Sequence, residues 1–330
     1  MLHRVPQEIA DSIVRYALHD RAGVVSLLQS NSVNYHRAAC EAYRVFKAGD
    51  ENLEFVREFF SAPKTVSEGK RLVGNATTRV CAHVQVLIIL TQNWAPTEME
   101  IGLFGRLRSL RGTGFTLRDI LDASRHPTLS RFLTEVNVWD SVHLAHLPET
   151  VTHVSVRARS RYDMPKGAAL GALEQWARNN NLRHIGLELY DHTHAVWGLA
   201  ITEQELATAL AAIFREAPDM HVAVHVKGRA AENQHWGRWI RAANASEGAE
   251  GRVRFWRDER NKYAIGHDLH WDHPKDIRDD VKDALDGASF WTKAAVIGED
   301  DRRLALQYPA APDDSGATSA GTNKLAGGPL

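Results

Sequence analysis

In this 330-residue chain, two histidine clusters have the residue types and spacing most similar to those of a metal-binding or catalytic site. His267, His270 and His273 stand three residues apart with aspartates between them, and imidazole with carboxylate is a ligand set for zinc. A neighbouring glycine and Pro274 make a loop as plausible as a helix, and spacing alone does not supply the ordered second shell of a metal site. We therefore expect a solvated loop here, with no bound metal and no other cofactor.

The second cluster, Asp-His-Thr-His at residues 191–194, follows a predicted strand, where loops of parallel sheets often hold functional residues. A turn is the simpler interpretation. Neither cluster has a companion nucleophile: the chain lacks Gly-x-Ser-x-Gly, and neither Cys40 nor Cys81 lies in a catalytic signature. We expect a protein that is not an enzyme; the enzymatic alternative is metal-dependent chemistry at residues 267–273.

A third group of polar residues alternates with apolar ones in short predicted strands. In a solenoid, alternate strand side chains point to the core and to the concave sheet face, so the polar positions face any client. Large aromatic side chains at strand ends would act as anchors, because such residues dominate protein interfaces. An ordinary solvated face is the alternative. The predicted client-binding residues are Glu135, Asn137, Trp139, His153, Arg157, His184, Glu188 and Tyr190, with Ser155, His225, Arg254 and Trp256 at similar positions.

The strands that position these residues share a pattern, in which an apolar residue is followed by others at offsets three and five. The instances are Leu133-Val136-Val138, Val151-Val154-Val156 and Leu182-Ile185-Leu187, with Leu107-Leu110-Gly112 as a weaker copy. Further strands are predicted at residues 84–90, 220–226 and 253–256.

Between the strands lie segments with apolar residues at spacings of three and four, at residues 115–123, 168–177 and 203–217. Strand and helix in alternation predict an α/β fold with a parallel sheet, either a curved solenoid or a doubly wound sheet. No glycine-rich phosphate loop follows a strand, and strand intervals of about 18 to 38 residues approach repeat length. The prediction is an irregular βα solenoid.

The whole chain divides by sequence pattern into four parts. Residues 1–47 predict a module of three short helices, the first starting near Pro6, and residues 48–79 a helical linker or first cap. The solenoid is assigned to residues 80–307, with a capping helix at 276–286. Residues 308–330 are rich in Pro, Ala, Gly, Ser and Thr and predict a disordered tail.

Composition excludes some classes of partner. The 40 Lys and Arg against 41 Asp and Glu create no global field for nucleic acid or a membrane surface. The most apolar stretch, residues 84–90, is too short to cross a bilayer. Two cysteines without metal spacing, and an N-terminus unlike a signal segment, predict a cytoplasmic or nuclear protein.

The first residues also resemble a known family. VPQEIADSIV at residues 5–14, DRA at 20–22 and RAA at 37–39 resemble the F-box-like N-terminus of large fungal protein families, and residues 103–138 resemble their leucine-rich repeats. The resemblance implies a substrate-recognition subunit of a Skp-cullin-F-box ubiquitin ligase, which docks on a Skp-family adaptor and cullin scaffold and binds a client through the solenoid. The implied adaptor-binding residues are Val5, Pro6, Ile9, Ile13, Val24, Val25 and Leu28.

A different hypothesis keeps the solenoid without the ligase. The polar run at residues 29–32 stands where the family has an apolar start to its third helix. In this alternative the chain is a leucine-rich-repeat-like scaffold, and its N-terminal helices act only as a cap.

Overall fold

A computed structural model describes most of the central part of the chain. The described residues are 39–40, 43–61, 80–121, 129–139, 147–159, 168–191, 201–228, 233–258, 290–296 and 299–307.

Within these residues the strands form one sheet of nine, in which spatial order equals sequence order. The first eight strands are parallel, and the ninth pairs antiparallel with the eighth. The strands are β1 (Val45–Ala48), β2 (Val86–Ile89), β3 (Ser109–Gly112), β4 (Glu135–Val138), β5 (His153–Arg159), β6 (His184–Asp191), β7 (His221–Gly228), β8 (Val253–Asp258) and β9 (Ala295–Val296).

Helices lie between most pairs of consecutive strands and after the last one, and the described residues between β4 and β5 contain none. They are α1 (Leu53–Ser61), α2 (Glu98–Gly102), α3 (Gly114–Leu121), α4 (Ala168–Ala177), α5 (Glu203–Glu216), α6 (Asn233–Ala245), α7 (Phe290–Lys293) and α8 (Glu299–Gln307), with 3₁₀ turns at Asp50–Asn52 and Leu129–Arg131.

Local sequence explains where helices begin and which side they bury. In α5, the Thr202 side chain accepts a hydrogen bond from the Glu205 amide, and the Glu205 carboxylate accepts one from the Thr202 amide. This capping box satisfies two amides that the first helical turn leaves without partners. The helix then buries Leu206, Leu210 and Ile213, which the spacing of four and three places on one side.

Helices α1 to α6 share one core with one side of the sheet. Alternate strand residues, such as Val154 and Val156 on β5, belong to the same buried cluster as apolar residues of α1 to α6. Parallel strands joined in sequence order by crossovers of one hand place every helix on the same side. A doubly wound sheet reverses its strand order and carries helices on both sides. The described strands contain no such reversal.

The predicted α/β fold with a parallel sheet is confirmed, and it is compatible with a solenoid. Helices predicted at 115–123, 168–177 and 203–217 are observed at Gly114–Leu121, Ala168–Ala177 and Glu203–Glu216. Each predicted strand is present within a few residues of its predicted position.

The sheet differs from the prediction at both ends. It begins at β1 rather than near residue 80, because Phe46 packs its ring against Phe60, Trp94 and Phe104, at centroid distances of 5.9 to 6.5 Å. These aromatic contacts join β1 and α1 to the common core. At the other end, β9 adds an antiparallel strand that no repeat pattern predicts.

Several predicted segments lie outside the described residues. They are most of the three-helix module, the cap helix at 276–286 and the tail at 308–330.

In the part of the chain that the structure describes, no helix combines the length and apolar character needed to span a bilayer.

Candidate interaction surface

The side chains that point away from the helices form a polar face on the sheet. Strand register aligns them in three rows that cross neighbouring strands. The first row is Ser109, Glu135, His153, His184 and His221. The second is Arg111, Asn137, Ser155, Gly186, Ala223 and Arg254, and the third includes Glu188, His225 and Trp256.

Three imidazoles stack along the first row. The ring centroids of His153 and His184 are 4.2 Å apart with an angle of 12° between planes, and those of His184 and His221 are 5.4 Å apart. Burial lowers the pKa of His153. The pKa of His184 is lowered to about 4, first by burial and then by the charges of His153, His221 and Arg254. His153 and His184 are therefore neutral at pH 7, which allows their rings to stack without charge repulsion.

The second row holds buried polar groups in its centre. Asn137 is 5% exposed and Ser155 is fully buried. Within the described residues, the Asn137 Oδ1 and the Ser155 Oγ have no hydrogen-bond partner. Leaving a buried polar group unpaired costs roughly 1–3 kcal/mol. Unpaired groups of this kind are uncommon in native proteins and call for an explanation, such as a ligand or partner that completes them.

The β3 end of this row is an ion pair. The guanidinium of Arg111 lies 3.5 Å from the Glu135 carboxylate, and its Nε donates a hydrogen bond to the Ser109 hydroxyl. Arg111 is buried, and its interactions with Glu135 and Ser109 compensate for the loss of hydration of its guanidinium.

The third row ends in an aromatic stack at β8. His225, which is buried, lies parallel to Trp256 with ring centroids 3.7 Å apart. Glu188, one strand away, is also buried. The β7–β8 end of this row is therefore a stacked imidazole–indole pair in which only Trp256 is partly exposed.

Residues 290–296, which we call the strap, cross this face. The Trp291 ring lies edge-on to His153 and His184, at centroid distances of 5.1 and 5.9 Å. Two residues further on, the Lys293 ammonium is 4.5 Å from the centroid of Trp256. The strap then pairs with β8 through β9.

Most residues predicted to face a client lie on this surface. Alternation places Glu135, Asn137, His153, His184 and Glu188 there, together with Ser155, His225, Arg254 and Trp256. Trp139 follows β4 and is only 8% exposed, so little of its indole is accessible. For Arg157 and Tyr190 the structure describes only the strand backbone, on β5 and β6.

Sequence reasoning missed three contributors to the face. Arg111 lies in the weaker copy of the strand pattern, and His221 starts a strand that lacks the repeat signature. The alternation around His221 was a usable signal. No sequence signal indicated Trp291, because it is separated by more than a hundred residues from His153 and His184.

The other predicted site residues lie outside the described residues. These are the histidines at 192–194 and 267–273 and the whole adaptor-binding set from Val5 to Leu28. Among the residues that the structure describes, no three His, Cys, Asp or Glu side chains are arranged to hold a metal ion.

Both cysteines are described, and they differ in accessibility. Cys81 is fully buried, and burial raises the pKa of its thiol to about 12. Cys40 is partly exposed, and its sulfur lies 3.4 Å from the Nδ1 of His83. Neither forms a disulfide.

Comparisons with known proteins find no relative. No protein-family model matches the chain, and no curated protein and no solved structure matches it.

Proposed function

We propose that this protein is a non-enzymatic interaction adaptor that binds a protein client through the polar face of a leucine-rich-repeat-like solenoid. In the fuller form of the proposal, the F-box-like N-terminus attaches it to a Skp-family adaptor and cullin scaffold, making it the substrate-recognition subunit of a ubiquitin ligase.

One observation carries the client-binding part. All helices between the described parallel strands pack on one side of the sheet, and the other side carries ordered rows of charged, imidazole and aromatic groups. Two buried polar groups on it, at Asn137 and Ser155, have no hydrogen-bond partner among the described residues. If this face served only the stability of the fold, apolar or hydrogen-bonded side chains would be expected there.

The ligase part rests on the resemblance of residues 5–39 to F-box-like sequences. A module of about 45 residues buries too little surface for reliable stability alone, so its remaining apolar side chains fit a docking role. If the adaptor does not bind, the scaffold without a ligase role is the function that remains.

The adaptor is tested directly with purified full-length chain and a purified Skp-family adaptor. We expect stable binding that Ile9→Asp or Leu28→Asp removes. A matched control is Phe115→Asp on α3, whose side chain is 55% exposed and lies outside the predicted docking set. If the unmodified chain shows no binding, the ligase role is rejected.

The client is tested with a pair of charge reversals. Arg254→Glu changes an exposed residue of the polar face, and Arg118→Glu changes an exposed residue on helix α3. Tagged proteins are used to capture partners, which are identified by mass spectrometry and then tested as purified proteins. A client should bind Arg118→Glu normally and Arg254→Glu at least fivefold more weakly. Equal binding to both variants would remove the polar face from the proposal.

A further inference from the structure

The strap lies on the polar face with the contacts of a bound peptide. Trp291 covers the stacked imidazoles of the first row, and Lys293 covers the indole of Trp256 in the third. Between them in space, Ala294 is buried against Ala223 of the second row. Three residues of the strap, Trp291, Lys293 and Ala294, thus reach all three rows of the face.

The secondary structure of the strap is short. Helix α7 has four residues and β9 has two, so neither forms a stable element in isolation. The pairing of β9 with β8 involves only Phe255 and Arg254. Because the strap depends on the same surface contacts that a partner would use, a partner with similar chemistry can replace it.

Each contact on the sheet selects one type of side chain. Uncharged stacked imidazoles accept an aromatic ring at their edge or face. Trp256, supported from behind by His225, offers an electron-rich face to a cation. Ala223 packs against Ala294, so a small residue fits at this position. Read along the strap, these preferences are aromatic at Trp291, basic at Lys293 and small at Ala294.

We propose that the strap is an intramolecular ligand, and that its site on the polar face binds a client segment that, like the strap, has an aromatic residue followed two positions later by lysine or arginine. The inference rests on the proposed client-binding function and specifies its substrate class. The client displaces the strap, so binding is a competition between a tethered segment and a free one.

The unpaired groups of the second row extend this site. Ser155 and Asn137 lie on β5 and β4, beyond the strands with which the strap pairs. The Asn137 Oδ1 is an acceptor, so it requires a donor such as a peptide N–H, and a hydroxyl like that of Ser155 accepts or donates. Because both side chains are buried, a client segment longer than the strap supplies these hydrogen bonds only by displacing the groups that cover them.

The test uses a fluorescent peptide with the sequence of residues 290–296, Phe-Trp-Thr-Lys-Ala-Ala-Val, and anisotropy as the readout. The receptor is the full chain with Trp291→Ala and Lys293→Ala, which vacates the site. A tethered segment competes at an effective concentration of about a millimolar. We therefore expect the peptide to bind the vacated protein at least tenfold more tightly than the unmodified protein.

A matched control comes from an aromatic-and-cation pair on the helical side. The Arg118 guanidinium lies 4.9 Å from the Phe115 ring centroid on α3. The variant Phe115→Ala with Arg118→Ala removes the same chemistry and should bind the peptide no better than the unmodified protein. Adding His184→Ala to the vacated protein should weaken binding at least fivefold, and so should alanine in place of tryptophan in the peptide.

Circular dichroism establishes that each variant is folded. If the double substitution unfolds the chain, Lys293→Glu is the milder alternative. It reverses the charge over Trp256, loosens the strap and should raise peptide affinity about threefold by weakening its competitor. Equal affinity for the unmodified and vacated proteins, or binding that ignores the peptide tryptophan, overturns the inference.

The two proposals fail separately. A client that depends on Arg254, together with no peptide binding to the vacated protein, overturns the strap inference and leaves the proposed function. Peptide binding without any such client supports the site and removes the adaptor role.

Discussion

Adjacent residues on β5 should respond to truncation in opposite ways. Val154 belongs to the core, and Ser155 belongs to the polar face, yet both are fully buried. Alanine removes two methyl groups at position 154 and one hydroxyl at position 155. The two substitutions therefore separate the effect of burial from the effect of the face on which a residue lies.

The expected magnitudes follow from what each side chain contacts. Val154→Ala deletes two methyl groups from a packed cluster, at about 0.8 kcal/mol each before any cavity cost. With the cavity that remains, the free energy of unfolding should fall by roughly 2–3 kcal/mol. Ser155→Ala deletes a hydroxyl that has no partner among the described residues. Its removal relieves a desolvation cost, so the free energy should stay unchanged or rise by about 1 kcal/mol.

Urea unfolding monitored by circular dichroism and tryptophan fluorescence measures these differences. Coincident transitions by the two probes establish two-state behaviour, and an unchanged slope assigns the effect to stability. Val156→Ala is the second core variant and should behave like Val154→Ala. A loss above about 1 kcal/mol in Ser155→Ala would refute the assignment, because it would mean that the hydroxyl makes a stabilising contact.

Three further predictions concern other parts of the fold. The pKa of His184 is lowered from 6.5 to about 4 in the folded protein. Between these two pH values the unfolded chain binds a proton at His184 and the folded chain does not, so the free energy of unfolding should fall as the pH decreases from 6.5 to about 4. Solvent screening of this half-buried group reduces the slope below the limit of about 1.4 kcal/mol per pH unit, and His184→Asn should flatten the stability measured against pH. A thiol reagent should label Cys40 in the folded protein and Cys81 only after unfolding, because Cys81 is fully buried; rapid labelling of both would contradict the packing around β2. Glu203→Gln should cost about 1 kcal/mol in urea unfolding, since Arg241 on α6 donates to both carboxylate oxygens at 3.0 and 2.9 Å; no change, at low salt, would mean that the pair is not formed.

Much of the central fold could be predicted from local pattern. The pairs Val136 and Val138, and Val154 and Val156, alternate with polar residues, which predicts half-buried strands. Helix α5 was predicted within one residue, because its apolar spacing is regular. Strand β1 was not predicted as part of the sheet, since four residues carry too little periodicity to be distinguished from a loop.

The candidate site divides in the same way. Alternation predicted that His153, Ser155 and His184 share a face, because side-chain direction in a strand is set by the backbone. It did not predict that Ser155 has no hydrogen-bond partner among the described residues, or that the rings of His153 and His184 stack at 4.2 Å. Those facts depend on strand register and on what lies above the sheet.

The sequence by itself determined the α/β alternation, the parallel direction of the strands and the set of residues facing away from the helices, because each follows from local periodicity and short connections. Only the tertiary structure decided that the strands pair in sequence order, so that helices α1 to α6 lie on one side of the sheet and leave the polar face uncovered by them. It also decided that Trp291 covers this face. The physical reason is that such contacts join segments far apart in sequence, and no local pattern records which distant side chain will fill a given space.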